Sequence, residues 1–281
     1  AWQQRRGYPF TFFTEASLDL AEDDELTQLM VEANIQSVFV GIESPNEESL
    51  RETKKFQNVR PAGTLTDRVR RIQDAGLEVW CGMILGFDHD TPAIFAAQQE
   101  FLEQSRILHA MIGMLHAIPK TPLYERLAVE GRLDAADHSE FGTNVVPLQM
   151  SREELSDGYV QLMQALYEPA AYFRRLEDLY LRDRFEFGRA QRRYWRRHPW
   201  AGLKAQATNL FRSAYVYLRL MSDVPDATLR REYRKQLAKL LRRRPDPAIL
   251  FVYLIKCAMH YHHRRMSADM NSREKPLVNS F

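Results

Sequence analysis

A chain of 281 residues, 45% hydrophobic and 27% charged, is long enough for one large or two medium domains of soluble composition. Only two cysteines, Cys81 and Cys257, are present. That excludes a disulfide framework and a thiolate-rich metal quartet, and suits a reducing, cytoplasmic setting. The net charge of +2 hides a division: residues 1–173 hold 14 Lys+Arg against 27 Asp+Glu, and residues 174–281 hold 25 against 10. Such asymmetry marks two modules, which either attract each other or face an external anionic partner.

The first half alternates strand and helix. Phe10-Thr11-Phe12-Phe13-Thr14 reads as a strand ending in Glu15-Ala16-Ser17. The acids Glu22-Asp23-Asp24-Glu25 open a helix through Leu26, Leu29, Met30 and Ala33, with Asn34 as its stop. A second strand runs from Ser37 to Ile42 and carries Gly41 and Glu43 at its end; Asn46 caps the helix that follows through Leu50. Leu65, Val69, Ile72 and Ala75 mark a helix stopped by Gly76, and a third strand spans Leu77 to Leu85. Thr91-Pro92 reads as the N-cap and first residue of a helix through Phe95, Phe101, Leu102 and Ile107. A fourth strand is expected from Ala110 to His116, where His116 is read first as a structural histidine and second as a cavity residue. Buried strands alternating with amphipathic helices argue for an α/β fold with a parallel sheet and right-handed crossovers. Two glycine-bearing strand ends then fall on one rim, where such folds collect their ligands.

Gly41-Ile42-Glu43-Ser44-Pro45 with Glu48-Ser49-Leu50 resembles the fourth-strand region of radical S-adenosylmethionine (radical SAM) enzymes. Gly82-Met83-Ile84-Leu85-Gly86 resembles their fifth-strand glycine motif, and Pro119 to Tyr124 resembles the proline turn after their sixth strand. Glu15-Ala16-Ser17 sits where their third strand ends. The match covers residues 8–130 and is nearest to the cobalamin-binding branch, with a helical C-terminal extension. The resemblance implies the C-terminal part of a TIM-like barrel, about four parallel strands with helices, over residues 1–130. A linker at 131–150 and an all-α domain at 151–281 would follow. It implies S-adenosylmethionine as cofactor, with Glu15, Ser17, Gly41, Glu43, Ser44, Gly82, Ile84 and Gly86 as its contacts. Glu43 and Ser44 would hydrogen-bond a ribose hydroxyl or the ammonium group, and Ile84 would pack on adenine. The competing reading of Glu43 is a cap on the next helix or an ion pair with Arg51 or Lys54.

The chain departs from the family in one respect. A 4Fe–4S cluster held by a CxxxCxxC loop is expected, and two isolated cysteines cannot provide it. Since the first residue is Ala1, the cluster ligands and any cobalamin domain are expected on missing N-terminal polypeptide of the same protein. Cys81 reads as a small buried hydrophobe. Asp88, His89 and Asp90 suggest a metal site, but adjacent residues cannot all aim at one ion, and they read better as partners of the next helix dipole. No metal ligands are therefore assigned.

From Met150 the pattern is helical. Ser151 to Glu154 resembles a capping box ahead of Leu155, Tyr159, Leu162, Met163 and Leu166. Later helices carry Leu176, Leu179 and Tyr180; Leu210, Ala214, Tyr217 and Leu218; and Leu229, Tyr233, Leu237 and Leu240. Ala248 to Ile255, interrupted by Lys256, is apolar but too short to span a membrane and suits a buried helix. Arg192 to Arg197, with Tyr194, Trp195 and Trp200, reads as a solvated face, an anionic-membrane contact or, third, a nucleic-acid contact. His260, His262 and His263 read as a polar helix end, and the tail after Ser267 as frayed. The functional expectation is a radical SAM enzyme that methylates or otherwise modifies an unreactive carbon of a small-molecule or lipid substrate. The alternatives are a non-catalytic adaptor with a basic helical module, and an unrelated TIM-barrel enzyme.

Overall fold

The structure, a computed structural model, describes residues 1–59, 63–134, 142–183 and 185–270. After a short helix α1 (Trp2–Arg5), four strands lie in one parallel sheet in chain order: β1 (Phe12–Ala16), β2 (Ile35–Glu43), β3 (Glu78–Leu85) and β4 (Ala110–Met114). The connections run through a 3₁₀ turn (Leu18–Glu22), α2 (Asp24–Glu32), α3 (Glu47–Glu52), α4 (Phe56–Val59), α5 (Leu65–Ala75) and α6 (Ala93–Ser105). Beyond β4 the chain is helical: α7 (Pro122–Val129), α8 (Arg152–Leu166), α9 (Pro169–Glu177) with a π turn (Asp178–Arg182), and α10 (Arg189–Arg197). The last three helices are α11 (Pro199–Asp223), α12 (Ala227–Arg243) and α13 (Pro247–Asp269).

The strand residues explain why the sheet has two unlike faces. In β2 the residues Gln36, Val38, Val40 and Ile42 are buried, while Ile35, Ser37, Phe39, Gly41 and Glu43 between them are half-buried. β3 repeats this, with Val79, Cys81, Met83 and Leu85 buried against Trp80, Gly82 and Ile84 half-buried. One face therefore joins the core with Val69, Ile72, Phe101 and Leu102, and the other remains partly open. The same core continues into α8, α9, α12 and α13 through Leu155, Leu176, Tyr233 and Leu254, so both halves share one apolar interior.

Several helix ends expected from the sequence are present: Asn34 takes the left-handed conformation (φ 67°) after α2, Gly76 does so after α5 (φ 109°), and the capping box forms at Ser151/Glu154. A second capping box, Thr64/Asp67, opens α5 without having been expected. Other boundaries move. β1 starts at Phe12 and β4 ends at Met114, leaving His116 exposed beyond the strand rather than buried as a structural residue. Thr91 does not cap α6: its carbonyl accepts the Ile94 N–H, and the helix begins at Ala93 after Pro92. In α2 the buried positions are Thr27, Met30 and Val31, whereas Leu26 and Leu29 are exposed. Around the 131–150 stretch, Asn144 donates to the Ala117 carbonyl and accepts its N–H, both at 2.8 Å, like an added strand residue; residues 135–141 lie outside the described residues. α13 runs on to Asp269, and most of the tail expected to fray after Ser267, residues 271–281, lies outside the described residues.

Gly86 ends β3 at φ 96°, where a Cβ would stand 2.9 Å from Leu155 Cδ2 of α8. Gly86→Ala combines backbone strain with a steric shift of the packed Leu155, and is expected to cost about 2 kcal/mol. Urea unfolding midpoints of the two proteins measure it; an unchanged midpoint contradicts the geometry.

Candidate functional site

On the open face, Gly41 and Gly82 are direct neighbours across β2 and β3, and Phe39 and Trp80 are neighbours one step below them. Glu15 pairs with Phe39 from β1, and Ile84 pairs with Gly113 of β4. A Cβ on Gly82 would meet the Phe39 ring at 3.0 Å, while one on Gly113 would meet nothing within 4 Å. The result is a glycine strip across β2, β3 and β4, covered at Gly82 by the Phe39 ring and open at Gly113.

The strip leads to a 480 Å³ cleft at the C-terminal strand ends, lined by Glu43, Glu52, Lys55, Ile84, Phe87 and Arg126 among others. Glu43 adopts φ 67° at a register shift in β2 and folds back over Gly41, so that a Cβ at that glycine would lie 2.6 Å from its Oε1. Its carboxylate pairs with Lys55 at 3.0 Å, neither Arg51 nor Lys54 being the partner. Asn58, buried, donates to the carbonyls of Gly41 and Ile42 and fixes this turn.

The far rim is an ionic lattice. Arg126 and Arg132 each donate to Asp88 at 2.6 Å, and Arg126 also reaches Glu52 at 3.4 Å. Burial would raise the Asp88 carboxyl, but hydrogen bonds from Arg132 and Arg126 outweigh it and hold the group below its ordinary range. Glu52 shifts the other way, raised by burial and by Asp88 despite its hydrogen bond with His89. Asp90 is fully buried and accepts the N–H groups of Gly86 and Phe87 and the Ser49 hydroxyl, at 2.9, 3.1 and 2.8 Å. Asp88, His89 and Asp90 thus point to three different sets of partners. The expectation that they serve the α6 dipole is corrected: they tie the β3 exit to α3 and α7.

The structure brings Glu15, Gly41, Glu43, Gly82 and Ile84 to the open face or its cleft. Ser44 is completely buried and its hydroxyl accepts the Asn46 N–H; Ser17 caps the 3₁₀ turn; Gly86 is covered by Leu155. These three do not line the cleft. Lys55 and Arg126 also line the cleft, and no local pattern marks them, since Lys55 arrives from the turn after α3 and Arg126 from α7.

Oppositely charged Glu43 and Lys55 side by side suit a zwitterionic amino-acid moiety, and Ile84 with Phe87 and Leu115 offers an apolar wall for a ring. S-Adenosylmethionine fits this donor set. A 4Fe–4S cluster does not: Cys81 and Cys257 lie fully buried on β3 and α13, and burial drives both thiols above the ordinary thiol range. Among the described residues, no group of three or more His, Cys, Asp or Glu is placed to hold a metal ion.

The fold is an α/β one, a four-stranded parallel sheet with a helical extension. The chain belongs to the family of the domain of unknown function DUF4070, which matches residues 121–275 and is associated with radical SAM enzymes, and with it to that superfamily. It is 42% identical over 179 residues to an uncharacterized methyltransferase of Synechocystis sp., covering 62% of this chain and 33% of that protein. It is 31% identical over 243 residues to the hopanoid C-2 methylase of Rhodopseudomonas palustris, covering 86% and 43%. It is also 22% identical over 162 residues to the bacteriochlorophyllide d C-12(1)-methyltransferase of Chlorobaculum tepidum, covering 57% and 35%. The family is therefore one of enzymes, and the chain spans less than half the length of these relatives.

Proposed function

We propose that this chain works within a longer radical SAM methyltransferase, as the C-terminal strands of its barrel and a helical extension. In this reading S-adenosylmethionine lies along the Gly41/Gly82 strip, with its adenine against Ile84 and its charged amino-acid end near Glu43 and Lys55. The reaction is methylation of an unreactive carbon. The iron–sulfur thiolates and a cobalamin site come from polypeptide outside these 281 residues. The two relatives with named substrates act on a hopanoid and a bacteriochlorophyllide, both large and mostly apolar ring systems, which supports a lipid-like substrate here. The observation that carries the reading is the side-by-side register of Gly41 and Gly82 beside a charged-rimmed cleft.

Equilibrium dialysis with labelled S-adenosylmethionine tests it. The 281-residue chain is expected to bind saturably, and Lys55→Glu, which reverses the charge beside Glu43 on the cleft rim, to weaken binding about tenfold or more. No saturable binding, or equal affinity in the variant, overturns the proposal.

A further inference from the structure

α11 is turned inside out relative to an ordinary surface helix. Its buried residues are Gly202, Ser213 and Leu220. On the opposite side stand Trp200, Phe211 and Leu218, 85%, 77% and 65% exposed, with Leu203, Leu210 and Tyr215 beside them. Spacings of three, four, seven and eight residues put these side chains on one stripe along a helix about 37 Å long. Ordinary proteins do not leave a continuous apolar stripe of this length in water without a partner.

The charge around the stripe identifies the partner. From Pro199 to Ser222 there is no Asp or Glu, while Lys204, Arg212 and Arg219 flank the apolar side. α10, immediately before it, has five arginines in nine residues. Along one flank runs a 640 Å³ cleft whose lining includes Arg6, Arg192, Lys204 and Arg212, together with Tyr194 and Trp195, and contains no carboxylate. Arg192 is neutralised by Asp246 at 2.5 Å and Arg219 by Asp223 at 2.9 Å, whereas Arg6 and Lys204 line the cleft with no ion pair among the described residues. A cation-lined cleft open beside an apolar ridge matches a phosphate headgroup with its acyl region alongside.

We propose that α11 and this cleft form a docking surface for an anionic lipid bilayer, with the helix lying in the interfacial plane and its cations on the headgroups. A second copy of the chain fits less well, because pairing two such faces would set their arginines and lysines against one another. Among the described residues no helix is long and apolar enough to cross a membrane, so the contact is peripheral.

Co-sedimentation of the 281-residue chain with phosphatidylcholine vesicles containing roughly one-third phosphatidylglycerol provides the test. Binding to these vesicles and not to pure phosphatidylcholine is expected, with weakening as salt rises. The double substitution Phe211→Ser/Leu218→Ser alters only exposed residues and is expected to weaken binding about tenfold or more. Lys204→Glu with Arg212→Glu is expected to abolish the preference for the anionic lipid. The proposal is overturned if the mixed vesicles are not bound or if the serine variant binds equally. It is overturned also if light scattering shows a dimer that the serine variant converts to monomer. No cofactor enters the assay, so its outcome is independent of S-adenosylmethionine binding.

Discussion

Lys256→Met is expected to destabilise the chain by about 3–5 kcal/mol, because it strands a carboxylate in the interior. Lys256 Nζ on α13 lies 2.5 Å from Glu78 Oε1 at the start of β3, with side chains only 5% and 2% exposed. The ammonium also sits 5.3 Å over the Trp80 ring. Without it, Glu78 keeps only the Tyr180 hydroxyl at 3.4 Å. The double variant Glu78→Leu/Lys256→Met removes both charges and should regain most of the loss, since a buried pair contributes little net stability over apolar residues of similar size. Urea unfolding of the two variants and the parent decides this. Because the pair joins the strand half to the helical half, a single cooperative transition is expected for all three. Equal losses in the single and double variants would refute the argument.

Acid is expected to destabilise the same interface through its histidines. His260 on α13 makes two hydrogen bonds, with the Tyr167 carbonyl at 3.0 Å and the Tyr233 hydroxyl at 2.8 Å. One ring nitrogen donates to the carbonyl and the other accepts from the hydroxyl, which selects the neutral ring. Burial, with Arg264, Arg175 and His263 adding repulsion against the pull of Tyr167, lowers its pKa to about 3. Burial and His262 lower His263 to about 4, and burial with Lys256 takes His109 well below its ordinary value. A folded-state pKa below the unfolded value of about 6.5 means the unfolded chain binds protons first. The stabilisation is whole above pH 6.5 and is lost as pH falls from there toward the folded values. Between pH 6.5 and 5, His260 alone is expected to remove about 2 kcal/mol. Stability measured at pH 7 and pH 5 should show this fall, and His260→Gln should flatten it by that amount. An identical pH slope in the variant would contradict the buried-neutral assignment.

These two predictions concern features that the sequence showed only as letters. Lys256 interrupts the apolar run Ala248 to Ile255, which reads correctly as a buried helix, and the histidines near it read as a polar helix end. His262 is exposed as that reading expects, but Lys256 and His260 are buried, because the inward side of α13 meets Glu78 of β3 and Tyr233 of α12, partners far away in sequence. By contrast, the strand positions were legible, because a strand buried on one face must alternate and must stop where glycine or asparagine permits positive φ. The candidate cleft was half legible. Gly41, Glu43, Gly82 and Ile84 could be placed together from strand-end reasoning, but Lys55, Arg126 and the lattice through Asp88 could not, since ion-pair choice depends on where helices land.

Local chemistry in the chain was enough to determine the alternation of four strands with helices, the capping box at Ser151, the separation of acidic and basic halves, and the glycine-bearing strand ends. These depend on neighbours within a few residues, where period and backbone freedom act directly. Only the folded chain decided which apolar stripe is buried: Leu155 and Leu166 on α8 turn inward, whereas Leu210 and Leu218 on α11 face water. An amphipathic helix records that it has an apolar side. Whether that side meets a core or an outside surface depends on long-range packing of the whole interior, which no local pattern encodes.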